Sequence, residues 1–268
     1  MADLARSPRA GRGTIEVHDR IDVAPTFTNA DVAALTARFA GVATETMLAE
    51  LLAGALKGRV AAVSSFGVES AVLLDLVARC DRDVPVIFVD TGKMFAETLA
   101  YRDALVARLG LTDLRVEVPD AAVLAADDAS GLRWSFDPDG CCAIRKVAPL
   151  TRALHPFDAW LSGRKGFQAA TRARLPTFEL DAEDSWGRLK INPLADWDKP
   201  RLDAYFAAHD LPRHPLEHQG FASIGCMPCT TRVAPGDDPR SGRWRGWDKT
   251  ECGIHASGHV ATAHDPAF

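Results

Sequence analysis

The sequence has no apolar run long enough to cross a membrane. A transmembrane helix needs about 20 consecutive apolar residues, and no stretch of the 268 residues approaches that length. Residues 1–20 also lack the apolar segment that a secretory signal requires. Positive charge is not in excess either, because the formal net charge is −5, whereas nucleic-acid-binding domains are usually basic. These absences predict a cytoplasmic protein with neither a membrane nor a nucleic acid as its partner.

The composition is that of a globular protein, with 47% hydrophobic and 25% charged residues. Residues 1–25 are rich in Ala, Arg, Gly and Pro without periodicity, and we expect a mobile N-terminal arm there. Residues 26–213 carry the patterns of one α/β domain. Residues 214–268 have few strand or helix patterns, and we expect an irregular C-terminal segment that carries function.

Apolar runs and helical patterns alternate along the α/β domain. The predicted strands are 60–64, 85–90, 113–118, 158–163 and 188–193. The predicted helices are 28–39, 43–57, 71–80 and 95–109. This alternation is typical of a parallel sheet covered on both faces, so we expect a Rossmann-like α/β fold.

The turn after the first predicted strand resembles an anion-binding loop. It reads SSFGVES over residues 64–70 and leads into a helix, whose N-terminus offers free N–H groups to an anion. It is not a Walker A loop, because the Gly-Lys-Ser/Thr ending is absent. An ordinary strand–helix turn with a serine cap is the alternative. The candidate ligand contacts at this sheet edge are Ser64, Ser65, Phe66, Gly67, Glu69, Ser70 and, after the second strand, Asp90.

Four of the six cysteines form two close pairs. Cys141 and Cys142 are adjacent and open a helical pattern, while Cys226 and Cys229 form a CxxC motif. Four thiolates can bind zinc or an iron–sulfur cluster. Adjacent ligands strain a tetrahedral zinc site, whereas a larger cluster accepts them, so the spacing favours iron–sulfur. A redox disulfide at the CxxC motif is a third interpretation, and the pairing argues against four unrelated thiols.

The other two cysteines have different surroundings. Cys252 lies in the sequence ECGIH beside His255, where a lowered pKa would make the thiol a nucleophile. A metal site formed by Cys252, His255 and His259 is the alternative. Cys80 falls in an apolar helical run, which predicts a core thiol.

Two segments are basic in a chain that is acidic as a whole. Residues 151–175 contain five Lys or Arg and one Asp, and residues 232–249 contain five basic and three acidic residues. Basic side chains near the cysteines indicate a small anionic substrate. The alternatives are a solvated surface or, for Trp244 and Trp247 between arginines, stacking on RNA bases. The net charge makes packing the better explanation for the two tryptophans.

Taken together, the motifs within residues 45–257 resemble those of the adenylyl-sulfate (APS) and phosphoadenylyl-sulfate (PAPS) reductases of assimilatory sulfate reduction. They are SSFGVES, VDTGKMFAET, CCAIRK, GRKGFQAATR, IGCMPCT, RSGRW and ECGIH. The chain is most similar to the iron–sulfur APS branch. The resemblance implies an adenine nucleotide α-hydrolase-like fold. It also implies one 4Fe–4S cluster per chain on Cys141, Cys142, Cys226 and Cys229. The PAPS-only branch lacks these cysteines, so APS is the expected substrate.

The resemblance also implies a mechanism for cysteine biosynthesis. Cys252 would attack the sulfur of APS, displace AMP and form an S-sulfocysteine, from which thioredoxin would release sulfite. Lys146 would lie between cluster and substrate. The other implied substrate contacts are Arg164, Arg172, Arg240, Arg243 and His255. A homo-oligomer is compatible with these expectations.

Three other functions remain open at this point. One is a reductase that prefers PAPS or uses both nucleotides. Another is an iron–sulfur tRNA thiolation enzyme of the ATP-pyrophosphatase type. The Ser-Ser-Phe-Gly loop, where such enzymes have Ser-Gly-Gly, and the ECGIH motif argue against it. The third is a zinc-binding regulatory protein.

Overall fold

A six-stranded sheet lies at the centre of this computed structural model, which describes residues 26–168, 172–182, 184, 186–249 and 251–254. Its strands are β1 (Val60–Val63), β2 (Val86–Val89), β3 (Leu114–Glu117), β4 (Ala159–Ser162), β5 (Phe178–Leu180) and β6 (Leu189–Ile191). Their order in the sheet is β3-β2-β1-β4-β6-β5. All neighbouring strands are parallel except β5 and β6. The predicted Rossmann-like sheet is therefore confirmed, with one antiparallel strand at its edge.

Helices connect these strands and cover both faces of the sheet. They are α1 (Asn29–Arg38), α2 (Thr44–Ala53), α3 (Ser70–Cys80), α4 (Ala96–Leu109), α5 (Ala121–Asp127), α6 (Pro138–Cys142), α7 (Ala148–Leu154) and α8 (Lys199–Ala208). A π-helical turn, Ala143–Val147, joins α6 to α7. Short 3-10 turns lie at Arg133–Ser135, Gly166–Gln168, Glu217–Gln219 and Met227–Cys229. Each helix in the described part of the chain is too short or too polar to span a bilayer.

Three elements were absent from the prediction, two of them for a physical reason and the third despite a signal in the sequence. Helix α5 buries none of its residues, so its sequence carries no apolar periodicity. Strand β5 has only three residues at the sheet edge, which are too few for an alternating apolar pattern to be recognised. Helix α8 does carry a start signal, because Asp198 caps it and a proline lies in its first turn.

Two apolar clusters occupy the two faces of the sheet. The larger contains side chains of α1, α2, α3, α4 and α8, and Cys80 packs partly buried against it as a core thiol. The smaller joins Leu150 and Leu154 of α7 to Ile87 and Trp160 of the sheet. Burial on both faces explains why the central strands are continuous apolar runs.

The chain beyond α8 is held by side chains rather than by regular structure. Its described residues form only short 3-10 turns and one isolated bridge, between Thr230 and Arg243. His214 anchors the start of this segment to α4. Its Nε2 lies 3.1 Å from the hydroxyl of Thr98, and the backbone N–H of Leu216 donates to its Nδ1 at 3.2 Å. The predicted mobile arm, residues 1–25, lies outside the described residues.

We expect His214 to make folding sensitive to acid. Its ring accepts a hydrogen bond at Nδ1 and is therefore neutral, and burial lowers its pKa to about 4. An unfolded histidine has a pKa of about 6.5, so protons bind the unfolded chain first. The free energy of unfolding should fall as pH drops from about 6.5 towards 4 and level off below that range.

Thermal unfolding over this pH range measures the effect. His214→Asn should lower the melting temperature at neutral pH and flatten its dependence on pH. The matched control is His218→Asn, because His218 is exposed, and its pH dependence should equal that of the unchanged protein. Parallel slopes for all three proteins would refute the assignment to His214.

Candidate active site

A cleft opens where the connections of the sheet change direction. The chain runs outward from β1 through β2 to β3, and then returns to place β4 on the other side of β1. Val63 and Ser162 are paired in register, so the loops after β1 and β4 leave the same edge side by side. Ligands of open α/β sheets bind at such a point. The cleft there has a volume of about 690 Å³, which suits a small-molecule ligand.

The loop after β1 lines this cleft with its small residues. Ser64, Ser65 and Gly67 contribute to the wall, together with Glu69 and Ser70 at the start of α3. No side chain caps the N-terminus of α3, so the serine-cap alternative does not describe this turn. The N–H of Ser70 donates to the carbonyl of Gly67 at 3.1 Å, and the N–H groups of the next residues in the first turn remain available to an anion.

Phe66 has a structural place in this loop. Its backbone is left-handed, with φ of 50°, and its N–H donates to the hydroxyl of Ser64 at 3.1 Å. The side chain is fully buried and packs edge-on against Phe88, with ring centroids 5.5 Å apart. Phe66 therefore turns the chain and is absent from the residues that line the cleft. Asp90 is also absent from that lining, and its carboxylate accepts the N–H of Gly92 at 2.9 Å.

The loop after β4 places two buried cations on the opposite wall. Lys165 donates to Glu69 at 3.0 Å, and burial lowers the pKa of this lysine. Arg164 pairs with Glu179 of β5, and its Nε donates to Asn192 at 3.3 Å. Both cations thus line the cleft while carboxylates from other elements hold them in place.

The segment of Cys252 is tied to the cleft by Glu251. Arg172 donates to both carboxylate oxygens of Glu251 at 2.7 Å, and Arg240 donates to one of them at 3.2 Å. Burial alone would raise the pKa of Glu251, but the arginines outweigh it and lower the pKa. Ile254 packs against the smaller core cluster. These contacts set Cys252, which is half-buried, in the wall of the cleft.

Gly253 lets this segment turn close to the π-helical turn. Its φ of +85° is unfavourable for other residues, and an added Cβ would lie 3.2 Å from the side chain of Val147. His255, which the sequence places in the substrate site, lies outside the described residues, as do His259 and His264.

A second, smaller cavity adjoins the cleft and is lined by all four paired cysteines. Cys141 and Cys142 reach it from α6, and Cys226 and Cys229 from the 3-10 turn. All four are free thiols, so the CxxC motif carries no disulfide here. Burial raises the pKa of Cys142 to about 11 and also raises the pKa of Cys141 and Cys229. Among the described residues, no group of three or more His, Cys, Asp or Glu side chains is arranged to hold a single metal ion.

Lys146 lies between the two cavities and lines both. It is buried, which by itself favours the neutral amine, but its electrostatic interaction with the sulfurs of Cys226, Cys252 and Cys142 raises its pKa. A lysine held positive at this position can face a ligand on one side and the cysteine sulfurs on the other.

Arg145, beside Lys146, was not singled out from the sequence. Its guanidinium makes a buried ion pair with Asp128 at 2.6 Å and donates to the carbonyl of Thr91 at 2.9 Å. The hydroxyl of Thr91 in turn lies 3.2 Å from the sulfur of Cys226. Arg145 thus joins the two cysteine pairs through the turn after β2. The only sequence signal for it was its place in the CCAIRK motif.

The arginines of the RSGRW motif complete the cleft. Arg240 and Arg243 both line it. The guanidinium of Arg243 packs over Gly225, where an added Cβ would lie only 2.2 Å from the arginine Nη2. A side chain immediately before Cys226 would therefore displace the guanidinium of Arg243 from this position. The Nη1 of Arg243 donates weakly to Ser223 at 3.4 Å, and its buried Nε has no partner among the described residues.

The chain matches the family model of the phosphoadenosine phosphosulfate reductase domain over residues 59–232. It is 53% identical over 209 residues to an adenosine 5'-phosphosulfate reductase of Mesorhizobium japonicum, a match covering 78% of this chain and 81% of the relative. It is 42% identical over 225 residues to a phosphoadenosine 5'-phosphosulfate reductase of Gloeobacter violaceus, covering 83% and 92%.

Among solved structures, the phosphate complex of phosphoadenylyl-sulfate reductase from Candida auris is similar, with a TM-score of 0.64 and 26% identity. The match covers 79% of this chain and 100% of that one. The likeness confirms the predicted adenine nucleotide α-hydrolase-like fold.

Removing only one partner of the buried ion pair between Arg145 and Asp128 should strongly destabilise the folded protein. Arg145→Met leaves the Asp128 carboxylate buried without its partner, which typically costs about 3–5 kcal/mol of folding free energy. Equilibrium urea unfolding measures this loss. The control is Arg38→Met, because Arg38 and Glu50 form an exposed pair, and it should change stability by no more than about 1 kcal/mol. Equal losses in the two variants would contradict the role of burial.

Proposed function

Because the chain belongs to the phosphoadenosine phosphosulfate reductase family, we propose that it reduces adenylyl sulfate to sulfite and AMP, with thioredoxin as the electron donor. One observation carries the proposal. The thiol of Cys252 lies in the same cleft as Lys146, Arg240 and Arg243, at the topological switch point of a nucleotide-binding type of sheet.

The cationic wall of the cleft is suited to the anionic phosphosulfate group of adenylyl sulfate. Arg240 and Arg243 would hold that group with paired N–H donors. Arg164 and Arg172 would contact the phosphate or ribose. The loop after β1 would receive the nucleotide through the free N–H groups at the start of α3. His255 is proposed to orient the sulfate.

The first chemical step is a displacement at sulfur. The Cys252 thiolate attacks the sulfur of the sulfate group and forms an S–S bond. The bond between that sulfur and the bridging oxygen breaks, and AMP leaves with the electron pair. The product on the enzyme is an S-sulfocysteine. Lys146, Arg240 and Arg243 are placed to stabilise the negative charge on the sulfate oxygens during this exchange.

The second step transfers two electrons from thioredoxin. One thioredoxin thiolate attacks the Sγ of Cys252, and sulfite leaves with the electron pair of the broken S–S bond. The second thioredoxin thiol then attacks the mixed disulfide and restores the Cys252 thiolate. Sulfur is reduced from the sulfate to the sulfite level, and thioredoxin is oxidised to its disulfide. The half-buried position of Cys252 leaves room for such an attack.

We also propose that Cys141, Cys142, Cys226 and Cys229 hold one 4Fe–4S cluster. The donor set fits, because four free thiols surround one small cavity. When bound, the cluster would supply negative charge beside Lys146.

Free thiols and a thioredoxin donor also favour a cytoplasmic location.

The choice of nucleotide has one specific alternative. The relative from Gloeobacter violaceus is named for PAPS, at 42% identity. A reductase that prefers PAPS or accepts both nucleotides is therefore the second candidate function. The four paired cysteines support APS.

Trapping the intermediate tests the proposed reaction. The protein is incubated with APS, or separately with PAPS, in the absence of any reductant, and its intact mass is measured. We expect APS to add the mass of one SO₃ group, because sulfite cannot leave without a thiol donor. The adduct should be absent from Cys252→Ser and present in the control Cys80→Ser. An adduct on Cys252→Ser would refute the assigned nucleophile, and an adduct with PAPS alone would refute APS as the substrate.

The proposed cluster is tested by metal content and spectrum. Protein purified without oxygen should be brown and hold about four iron atoms per chain. Cys229→Ser should lose most of the iron, since it removes one of the four ligands, whereas Cys80→Ser should keep it. A colourless protein with one zinc ion per chain would contradict the proposal.

A further inference from the structure

Four cationic side chains surround the ring of Trp244. Charged groups lie between 4.5 and 6.0 Å from the ring centroid, the range of a cation–π contact. They belong to Lys146, Arg240, Arg243 and Lys249. Trp244 is itself buried and lines the cleft.

Carboxylates balance only part of this charge. Arg240 pairs with Glu251, and Lys249 pairs with Asp139. Lys146 and Arg243 form no ion pair with a carboxylate in the described ranges. Like charges this close repel each other, the more strongly because the site is buried. Besides these carboxylates and the cysteine sulfurs next to Lys146, the ring of Trp244 is an attractive partner that all four cations share.

The backbone holds Trp244 in a conformation that tryptophan rarely adopts. Its φ is 46°, in the left-handed region, which costs about 1–2 kcal/mol for a residue with a Cβ. Its N–H donates to the carbonyl of Cys229 at 3.1 Å, which joins the arginine motif to the CxxC motif. The indole N–H is buried without a partner among the described residues. Strain of this kind persists where the surroundings impose it, often at functional sites.

We propose that Trp244 is a positioning residue of the reductase, whose π face gathers three cations of the cleft, Lys146, Arg240 and Arg243, together with the neighbouring Lys249, without neutralising them. A carboxylate in its place would also attract the four cations, but it would cancel charge that the phosphosulfate needs. The indole ring attracts them through its quadrupole and leaves their net charge for the substrate. This inference rests on the proposed function, because it assigns the gathered charge to adenylyl sulfate.

Site-specific fluorination of the ring tests the proposal without changing its shape. Fluorine withdraws electron density from the π face, so each added fluorine should weaken the cation–π contacts. Calorimetry with adenylyl sulfate on the Cys252→Ser background measures binding without reaction. We expect the dissociation constant to rise stepwise with fluorination at Trp244, by about ten-fold over the series. The same series at Trp247, which is partly exposed and is not the ring the cations surround, should leave the constant unchanged.

Each outcome separates the alternatives. A dissociation constant that does not change along the series would overturn the inference. Tighter binding would also overturn it, because fluorination makes the indole N–H a better donor and the effect would then come from a hydrogen bond. Two substitutions give a second readout, with Trp244→Phe expected to keep most of the affinity and Trp244→Leu to lose it. Equal losses in those two would also overturn the inference. If the Cys252→Ser protein with an unmodified ring failed to bind adenylyl sulfate, the proposed function itself would fail.

Discussion

Repulsion among the positive charges that line the cleft, four of them buried, constrains the rest of this site. Seven lysine and arginine side chains line one cleft: Lys146, Arg164, Lys165, Arg172, Lys199, Arg240 and Arg243. At low dielectric each would drive the others apart. The fold meets this constraint by giving the cations partners on separate elements. Glu69 at the start of α3 forms an ion pair with Lys165, and Glu179 of β5 forms one with Arg164. Glu251 pairs with both Arg172 and Arg240.

These partners also explain why an irregular C-terminal segment has a defined position. It contains little regular structure, yet His214 ties its beginning to Thr98 and Glu251 ties the residues beside Cys252 to Arg172, while Trp244 is bonded to Cys229 within the segment. Polar contacts of this kind are worth more when buried, because an unpaired partner is costly. The edge strand β5 has a similar function, since the carboxylate it carries holds Arg164 at the cleft wall.

Local patterns predicted most elements of this fold that bury apolar faces, with helix α8 as an exception. Strands β1, β2 and β4 are largely apolar because helices cover both faces of the sheet. Helix α5 escaped prediction because it buries nothing. In the site, sequence motifs identified which residue types come together but not how they pair. Glu251 and Arg172 are 79 positions apart, and no local pattern encodes that contact. The sequence also did not indicate that the side chain of Phe66 is buried in the core while its left-handed backbone turns the loop.

The pair of Arg172 and Glu251 gives the cleft an anion of its own. A tethered carboxylate competes with any free anion at a high effective concentration, so a weakly bound sulfate or phosphate ion would have difficulty displacing it. A ligand anion that also gains contacts elsewhere in the cleft can displace Glu251 from Arg172. Since Glu251 is the immediate neighbour of Cys252, its displacement would loosen the chain beside the thiol. Binding of a ligand at Arg172 and greater mobility of the segment around Cys252 would thus be linked through Glu251.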